Sequence, residues 1–253
     1  MRMKAILGAV LLVSAAVAGH AAPAALANVE AAVTSPKRSA DNVKLDASRK
    51  PAEILRWAGL RQGMRAVDLF GGNLYWAEIM APAVGPSGHV TVWEPSQFID
   101  DKGKAAFDKF AAAAGNVDLR VSPMESPDLP AGAFDFAMIN LNYHDVYWES
   151  AKFKIPRMEP APWLKRLNAA MKRGGTVVVI DHVAKAGAPR ETVEKYHRID
   201  PAVVRADFRK AGFMLAGTSK LLANPSDDYA IGVFDEKVRG KTDRFVYKFR
   251  KVR

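Results

Sequence analysis

The chain has 253 residues, 49% hydrophobic and 25% charged, enough for one sizeable core in one domain or two small ones. It contains no cysteine, which excludes a disulfide framework, thiolate metal sites and a cysteine-linked lipid anchor. No apolar run reaches the roughly 18 residues of a membrane span, and the formal charge of +10 is concentrated late, with eight Lys or Arg from Lys237 to Arg253.

In chain order, residues 1–27 follow the logic of an export signal. Arg2 and Lys4 precede a largely apolar stretch from Ala5 to Ala18, and small residues then offer cleavage after Ala21 or after Ala27. Residues 28–47 are mixed and polar, and read as a loose lead-in with one helical turn. From there residues 48–253 form one domain. Pro51 suits a first helical position, Ile54, Leu55, Ala58 and Leu60 make an apolar stripe, and Gly63 is expected to end that helix. Alternation follows. Strands are expected at Arg65 to Phe70, His89 to Trp93, Val117 to Val121, Phe134 to Leu141 and Thr176 to Ile180. Helices are expected at Tyr75 to Val84, Lys102 to Ala114, Trp163 to Met171, Glu191 to Lys195 and Pro201 to Ala211. Two further strands are read at Phe213 to Leu222 and Tyr229 to Phe234, with Arg244 to Phe249 extending that end. Strands rich in Val and Ile alternating with amphipathic helices imply an α/β sandwich, a parallel sheet covered on both faces. Such sheets bind ligands beyond the carboxyl ends of their strands, here just after Phe70, Trp93, Leu141 and Ile180.

After the first strand the chain reads Asp68-Leu69-Phe70-Gly71-Gly72-Asn73-Leu74. A glycine turn between strand and helix lets backbone approach a ligand and aims helix N–H groups at it. The next strand ends in Glu94, 26 residues beyond Asp68, where a carboxylate can accept both hydroxyls of a ribose. Glycine turns and strand-end acids also occur as plain turn chemistry; in this order and spacing they favour a nucleoside site.

The stretch from Val67 to Pro95 resembles motifs I and II of the class I S-adenosylmethionine-dependent methyltransferases. More narrowly the chain resembles a bacterial family of exported methyltransferases, on Arg49-Lys50-Pro51, Ala83-Val84-Gly85-Pro86 with Gly88, Asn142-Tyr143-His144-Asp145, His197-Arg198-Ile199-Asp200 and Arg239-Gly240-Lys241-Thr242-Asp243-Arg244. The resemblance implies a Rossmann-like three-layer α/β/α sandwich with seven strands, the last antiparallel, and S-adenosylmethionine as cofactor. It places Asp68, Gly71, Gly72 and Asn73 along the methionine part of that cofactor, Glu94 on the ribose, Glu125 near the adenine amine, and Asn140 at the end of the fourth strand. Phe70 and Leu74 depart from the usual three-glycine loop, and a leucine at position 74 would crowd the cofactor.

The fourth strand runs into Asn140-Leu141-Asn142-Tyr143-His144-Asp145-Val146-Tyr147-Trp148, a polar and aromatic crevice mouth. His144 suits a general base, with Asp145, Asn142 and Tyr143 beside it; a strand-end histidine bonded to backbone is the structural alternative. Tyr143, Tyr147 and Trp148 would line an acceptor pocket, or pack as a lid over the core. Asp181-His182 and His197-x-x-Asp200 come from neighbouring loops, whereas His89, at a strand start, is structural. Three functions follow: a methyltransferase acting outside the cytoplasm on a small-molecule or protein acceptor; a catalytically degenerate relative that binds a ligand or partner; and a metal-dependent hydrolase using His144, Asp181, His182 and His197. Nucleic acid is not expected as a partner. The basic C-terminal segment suits weak contact with an anionic surface, or an edge hairpin whose charges discourage strand pairing.

Overall fold

The computed structural model describes residues 25–252. Most of the segment read as an export signal therefore lies outside the described residues. Of that segment only 25–27 are seen, and they belong to the folded body. The Gln62 N–H donates to the Ala25 carbonyl at 3.1 Å, Leu26 bridges to Arg61, and Ala27 is buried.

The expected loose lead-in is instead three short helices, α1 (Val29–Val33), α2 (Ala40–Val43) and α3 (Asp46–Arg49). Their polar composition hides the reason they are ordered. The buried Arg38 guanidinium donates to the Val33 carbonyl at 2.7 Å and to both oxygens of Asp46 at 2.6 and 2.8 Å, and the Tyr75 hydroxyl adds a bond to Asp46 at 2.8 Å. Helix α4 (Pro51–Ala58) starts on proline as expected, but Gly59, at φ +87°, ends it rather than Gly63. The left-handed Gly59 lets the following Leu60 N–H turn back to the Leu55 carbonyl at 3.1 Å, closing the helix.

Seven strands form one sheet: β1 (Arg65–Leu69), β2 (His89–Pro95), β3 (Val117–Ser122), β4 (Phe134–Asn140), β5 (Met171–His182), β6 (Phe213–Ser219) and β7 (Arg244–Lys251). The order is β3-β2-β1-β4-β5-β7-β6, parallel except for β7, which runs antiparallel to both neighbours. The order reverses between β1 and β4, so ligand-binding loops converge there. Period-two alternation divides the core between the two faces. Val67, Leu69, Ala137, Ile139, Val177 and Val179 pack under α7 (Pro160–Ala170) and α9 (Pro201–Lys210). Ala66, Val90, Phe136, Met138, Val178 and Ile180 pack under α4 and α5 (Tyr75–Val84), with Phe107 of α6 (Asp101–Ala114). Helix α8 (Pro189–Tyr196) follows β5, and a single 3-10 turn at Tyr143–Tyr147 follows β4.

The expected strand at Tyr229 to Phe234 does not form; that segment belongs to a long connection from β6 to β7. Its alternating apolar residues mimic a strand, but polar bonds dictate its path. The fully buried Arg198 guanidinium holds both oxygens of Asp227 at 2.7 and 3.1 Å and donates to the Ile231 carbonyl at 3.0 Å. Tyr229 takes a left-handed turn at φ +63°, its hydroxyl on Asp243 at 2.9 Å. The basic C-terminal segment is likewise not an edge hairpin, because β7 lies inside the sheet and β6 is the edge. Lys248 and Lys251 cap the Trp57, Asn168 and Met171 carbonyls.

Candidate active site

The turn after β1 keeps the path of a glycine loop without all its glycines. Phe70 and Leu74 hold φ of +60° and +61°, left-handed conformations that cost a residue with a side chain about 1–2 kcal/mol each. Packing offsets that cost. The Phe70 ring meets Trp93 edge-on at 5.0 Å and stacks on Trp163 at 6.1 Å, on the α7 face of the sheet. Leu74 packs against the opposite core cluster and does not enter the large cavity described below, so the expected crowding by its side chain is not seen there.

Two carboxylates sit at the turn. Glu94 is 7% exposed and accepts the Gly72 N–H at 2.8 Å. Burial pushes its pKa up to about 7, and that hydrogen bond only partly opposes the rise. Asp68 lies under Gly71, out of the cavity, and its Oδ2 is buried with no hydrogen-bond partner. Burial, reinforced by Glu94, raises its pKa to about 8 against the pull of Arg49. The turn and Glu94 therefore meet directly, and their hydrogen bond spans the position where the sequence suggested a nucleoside. Asn73 is exposed; its side-chain oxygen takes the Tyr75 N–H at 3.0 Å, serving the start of α5. Glu125 is exposed and bonded to Gln97 at 3.2 Å, and neither it nor Asn140 lines the cavity.

The second centre joins the ends of β4 and β5. His144 Nδ1 lies 2.8 Å from Asp181 Oδ1, while the His144 backbone N–H donates to Asp181 Oδ2 at 2.8 Å. On the far side, Nε2 is 3.4 Å from Asp145 Oδ1, and Asn142 donates to the other Asp145 oxygen at 3.0 Å. Burial alone would lower the imidazolium pKa, but Asp181 and Asp145 outweigh it and raise it to about 9. Burial likewise opposes ionisation of Asp181, yet the His144 charge and hydrogen bonds hold its pKa below the ordinary carboxylate value.

These residues open on a cavity of about 730 Å³ over the carboxyl ends of β4 and β5 and the start of β7. Asn142, His144, Asp145 and Trp148 line it from the second centre, His182 and His197 from neighbouring loops, and Arg49, Arg239 and Arg244 from α3 and the β7 approach. The His182 and His197 rings lie 6.1 and 5.7 Å from His144. Burial lowers the His182 pKa to about 3, so this ring is neutral, its Nδ1 2.6 Å from the Thr242 hydroxyl. His197 is also lowered by burial, and its ring packs between Trp148 and Phe234.

Of the two readings of the aromatics, core packing holds for both tyrosines. Tyr143 and Tyr147 turn away from the cavity into the core, where both hydroxyls bond to Asp207, so of the three aromatics only Trp148 forms a cavity wall. Among the described residues no group of His, Asp and Glu is arranged to hold a metal ion, because His144 and Asp181 bind each other and His182 faces Thr242. His89 pairs with Asp118 at 2.6 Å, far along the sheet from the cavity-lining residues. The sequence reading passed over Arg49 and Arg244 as site residues. Their signal was present, since both fall in the segments that carried the family resemblance.

No protein-family model and no curated protein matches the chain. Solved structures do. A S-adenosylmethionine-dependent methyltransferase from Aquifex aeolicus superposes with a TM-score of 0.56 at 19% identity, over 84% of this chain and all of that one. One from Mesorhizobium loti gives 0.55 at 15%, over 82% of this chain and all of that one. The [4+2]-cyclase SpnF gives 0.56 at 16%, over 92% and 87%. At these identities the likeness concerns the fold, and one fold hosts different reactions. The chain has the seven-stranded Rossmann-like fold of the S-adenosylmethionine-dependent methyltransferases.

Proposed function

We propose that this protein is an S-adenosylmethionine-dependent methyltransferase acting outside the cytoplasm on a small-molecule or protein acceptor. The observation that carries the reading is one of placement. A glycine turn backed by a strand-end carboxylate lies at the switch point of the sheet, and the neighbouring cavity is lined by His144, whose ring is held from behind by Asp181. The residues present fit the cofactor. Gly71 and Gly72 offer backbone that no Cβ obstructs, Glu94 offers a carboxylate for the ribose, and Phe70 and Leu74 keep the glycine path with their side chains packed elsewhere.

Bound S-adenosylmethionine supplies an electrophilic methyl group carried on a sulfonium. The protein's own task is to hold the acceptor in line and to take its proton. His144 suits the second part. Asp181 fixes the ring through Nδ1 and leaves Nε2 on the side of Asp145 and the cavity. A pKa of about 9 makes His144 a strong base that is mostly protonated at neutral pH, so turnover rises with pH up to that value. A second reading, a fold that binds a ligand without turnover, is favoured by the Glu94–Gly72 bond bridging the nucleoside position.

Three sets of measurements test the proposal, on the cofactor, the base and export. In calorimetric titration, S-adenosylhomocysteine binds the wild type, and about tenfold more tightly near pH 8.5 than near pH 6 as Glu94 ionises. Glu94→Gln loses that pH dependence and most of the affinity. Because the folded-state pKa of Glu94 is raised, its ionisation costs stability as pH climbs from the ordinary value of 4.5 through about 7. Glu94→Gln therefore unfolds no lower than wild type near pH 8.5. No heat with wild-type protein removes the cofactor from the account.

For the base, the His144 ring is expected to titrate near 9 by NMR, and Asp181→Asn should bring the midpoint below 6.5. The raised pKa stabilises the fold fully below 6.5, and that contribution fades through about 9. Asp181→Asn should thus cost about 3 kcal/mol near pH 6 and less above pH 9. A wild-type midpoint near 6.5 contradicts the pairing.

For export, cleavage after Ala21 would leave the Ala25 and Ala27 contacts intact, whereas cleavage after Ala27 would remove them. Sequencing of protein recovered from the periplasm is expected to read Ala22 first. An intact Met1, or a start at Asn28, rejects this.

A further inference from the structure

The cavity has an unusual charge pattern. Arg244 is 8% exposed; its Nη2 donates to the Ser48 carbonyl at 2.8 Å, and its Nε is buried with no partner. Arg49 lies over the Tyr75 ring at 4.2 Å, and its Nη1 is also buried with no partner. The two guanidinium groups are close enough that Arg49 lowers the pKa of Arg244, with burial the larger cause. Arg239 lines the same cavity from the exposed side.

Asp68 faces Arg49 without an ion pair, and burial raises its pKa to about 8; the other nearby carboxylates are committed elsewhere. Asp46 binds Arg38, Asp181 and Asp145 flank His144, and Asp243 takes the Tyr229 hydroxyl. Among the described residues none of the three arginines forms an ion pair with a carboxylate. A buried cation without a counter-charge is costly, and a ligand that supplies the missing charge is bound in proportion to that cost.

The mouth is the opposite in character. Phe98, Phe153 and Phe234 are 38%, 46% and 66% exposed, and they are the exposed aromatic residues among those described. All three line this cavity. Scattered apolar residues on a surface need no explanation, but aromatics gathered around one opening mark a binding site.

We infer that the cavity receives an amphiphilic acid. Its anionic head, a carboxylate or a phosphate, sits between Arg244, Arg49 and Arg239, and its apolar body lies along Phe98, Phe153 and Phe234. The inference rests on the reading of this cavity as the acceptor site and specifies the acceptor's class. Two guanidinium groups suit a planar or tetrahedral oxyanion through charge-assisted hydrogen bonds. The head is anchored beside the His144 ring, and the body leaves through the aromatic mouth.

The same anion chemistry has a second source, the methionine carboxylate of the cofactor, and the experiment separates them. Decanoate, decyl phosphate and decanol are titrated calorimetrically into the full mature chain, wild type and variant. At least one of the two acids is expected to bind about tenfold or more tightly than decanol, and Arg244→Gln should abolish the difference. Arg239→Glu, at an exposed position, should weaken the same acid at least threefold even if Arg244→Gln unfolds. Equal affinity of acids and alcohol, or no binding of either acid, overturns the proposal. S-adenosylhomocysteine and methylthioadenosine, which lacks the carboxylate, are titrated in parallel. If Arg244→Gln weakens the first and spares the second, the seat belongs to the cofactor and the acceptor proposal is overturned. Failure of wild-type protein to bind S-adenosylhomocysteine, with the acid still bound, sinks the methyltransferase reading and leaves the acid site standing.

Discussion

A Cβ at position 72 would fall 2.6 Å from the Glu94 carboxyl carbon, and one at position 71 would fall 2.7 Å from the Asp68 carboxyl carbon. Two glycines in a row thus let a pair of carboxylates lie against the turn between β1 and α5, with the Gly72 N–H satisfied by one of them. Both acids are raised toward neutral pH, chiefly by burial, so this corner of the protein stores electrostatic stress that a ribose hydroxyl pair or a bound cation can relieve. The rest of the account depends on that close approach. Fill it with a side chain and Glu94 must swing away from the position that gives it a role.

One strand further along, the logic is reversed. At the ends of β4 and β5 an ionised aspartate and an imidazolium neutralise each other in the interior, tying the two strands by the ring and by the His144 backbone N–H. This pairing fixes the orientation of the histidine and leaves the cavity's remaining charge positive. The glycine turn thus holds acids raised toward neutral pH, whereas the cavity lacks an anion. On the proposed function, such a pair of neighbouring places suits a reaction between a cationic cofactor and an acidic acceptor.

How much of this was legible in the sequence differed from element to element. Val67, Val90, Ile139 and Val179 announced the central strands because both faces are buried and the apolar runs are uninterrupted. Glu94 stood out at the end of β2, and His144 in the turn just beyond β4, both at the edge where ligands bind. The segment from Tyr229 to Phe234 misled because Arg198 and Asp227, distant in sequence, override its alternation through buried polar bonds. Tyr143 misled for a related reason. A 3-10 turn after β4 rotates it toward Asp207 while leaving His144 toward Asp181. The arginines of the cavity escaped notice because their significance is the lack of a paired carboxylate, which exists only in three dimensions.

The most direct test is a crystal structure of the protein soaked with S-adenosylhomocysteine. The account predicts adenosyl density across Gly71 and Gly72, with the ribose hydroxyls on the Glu94 carboxylate and the sulfur facing the His144 side of the cavity. Adenosyl density elsewhere, or Glu94 still bonded to the Gly72 N–H with no ligand beside it at saturating concentration, would contradict it.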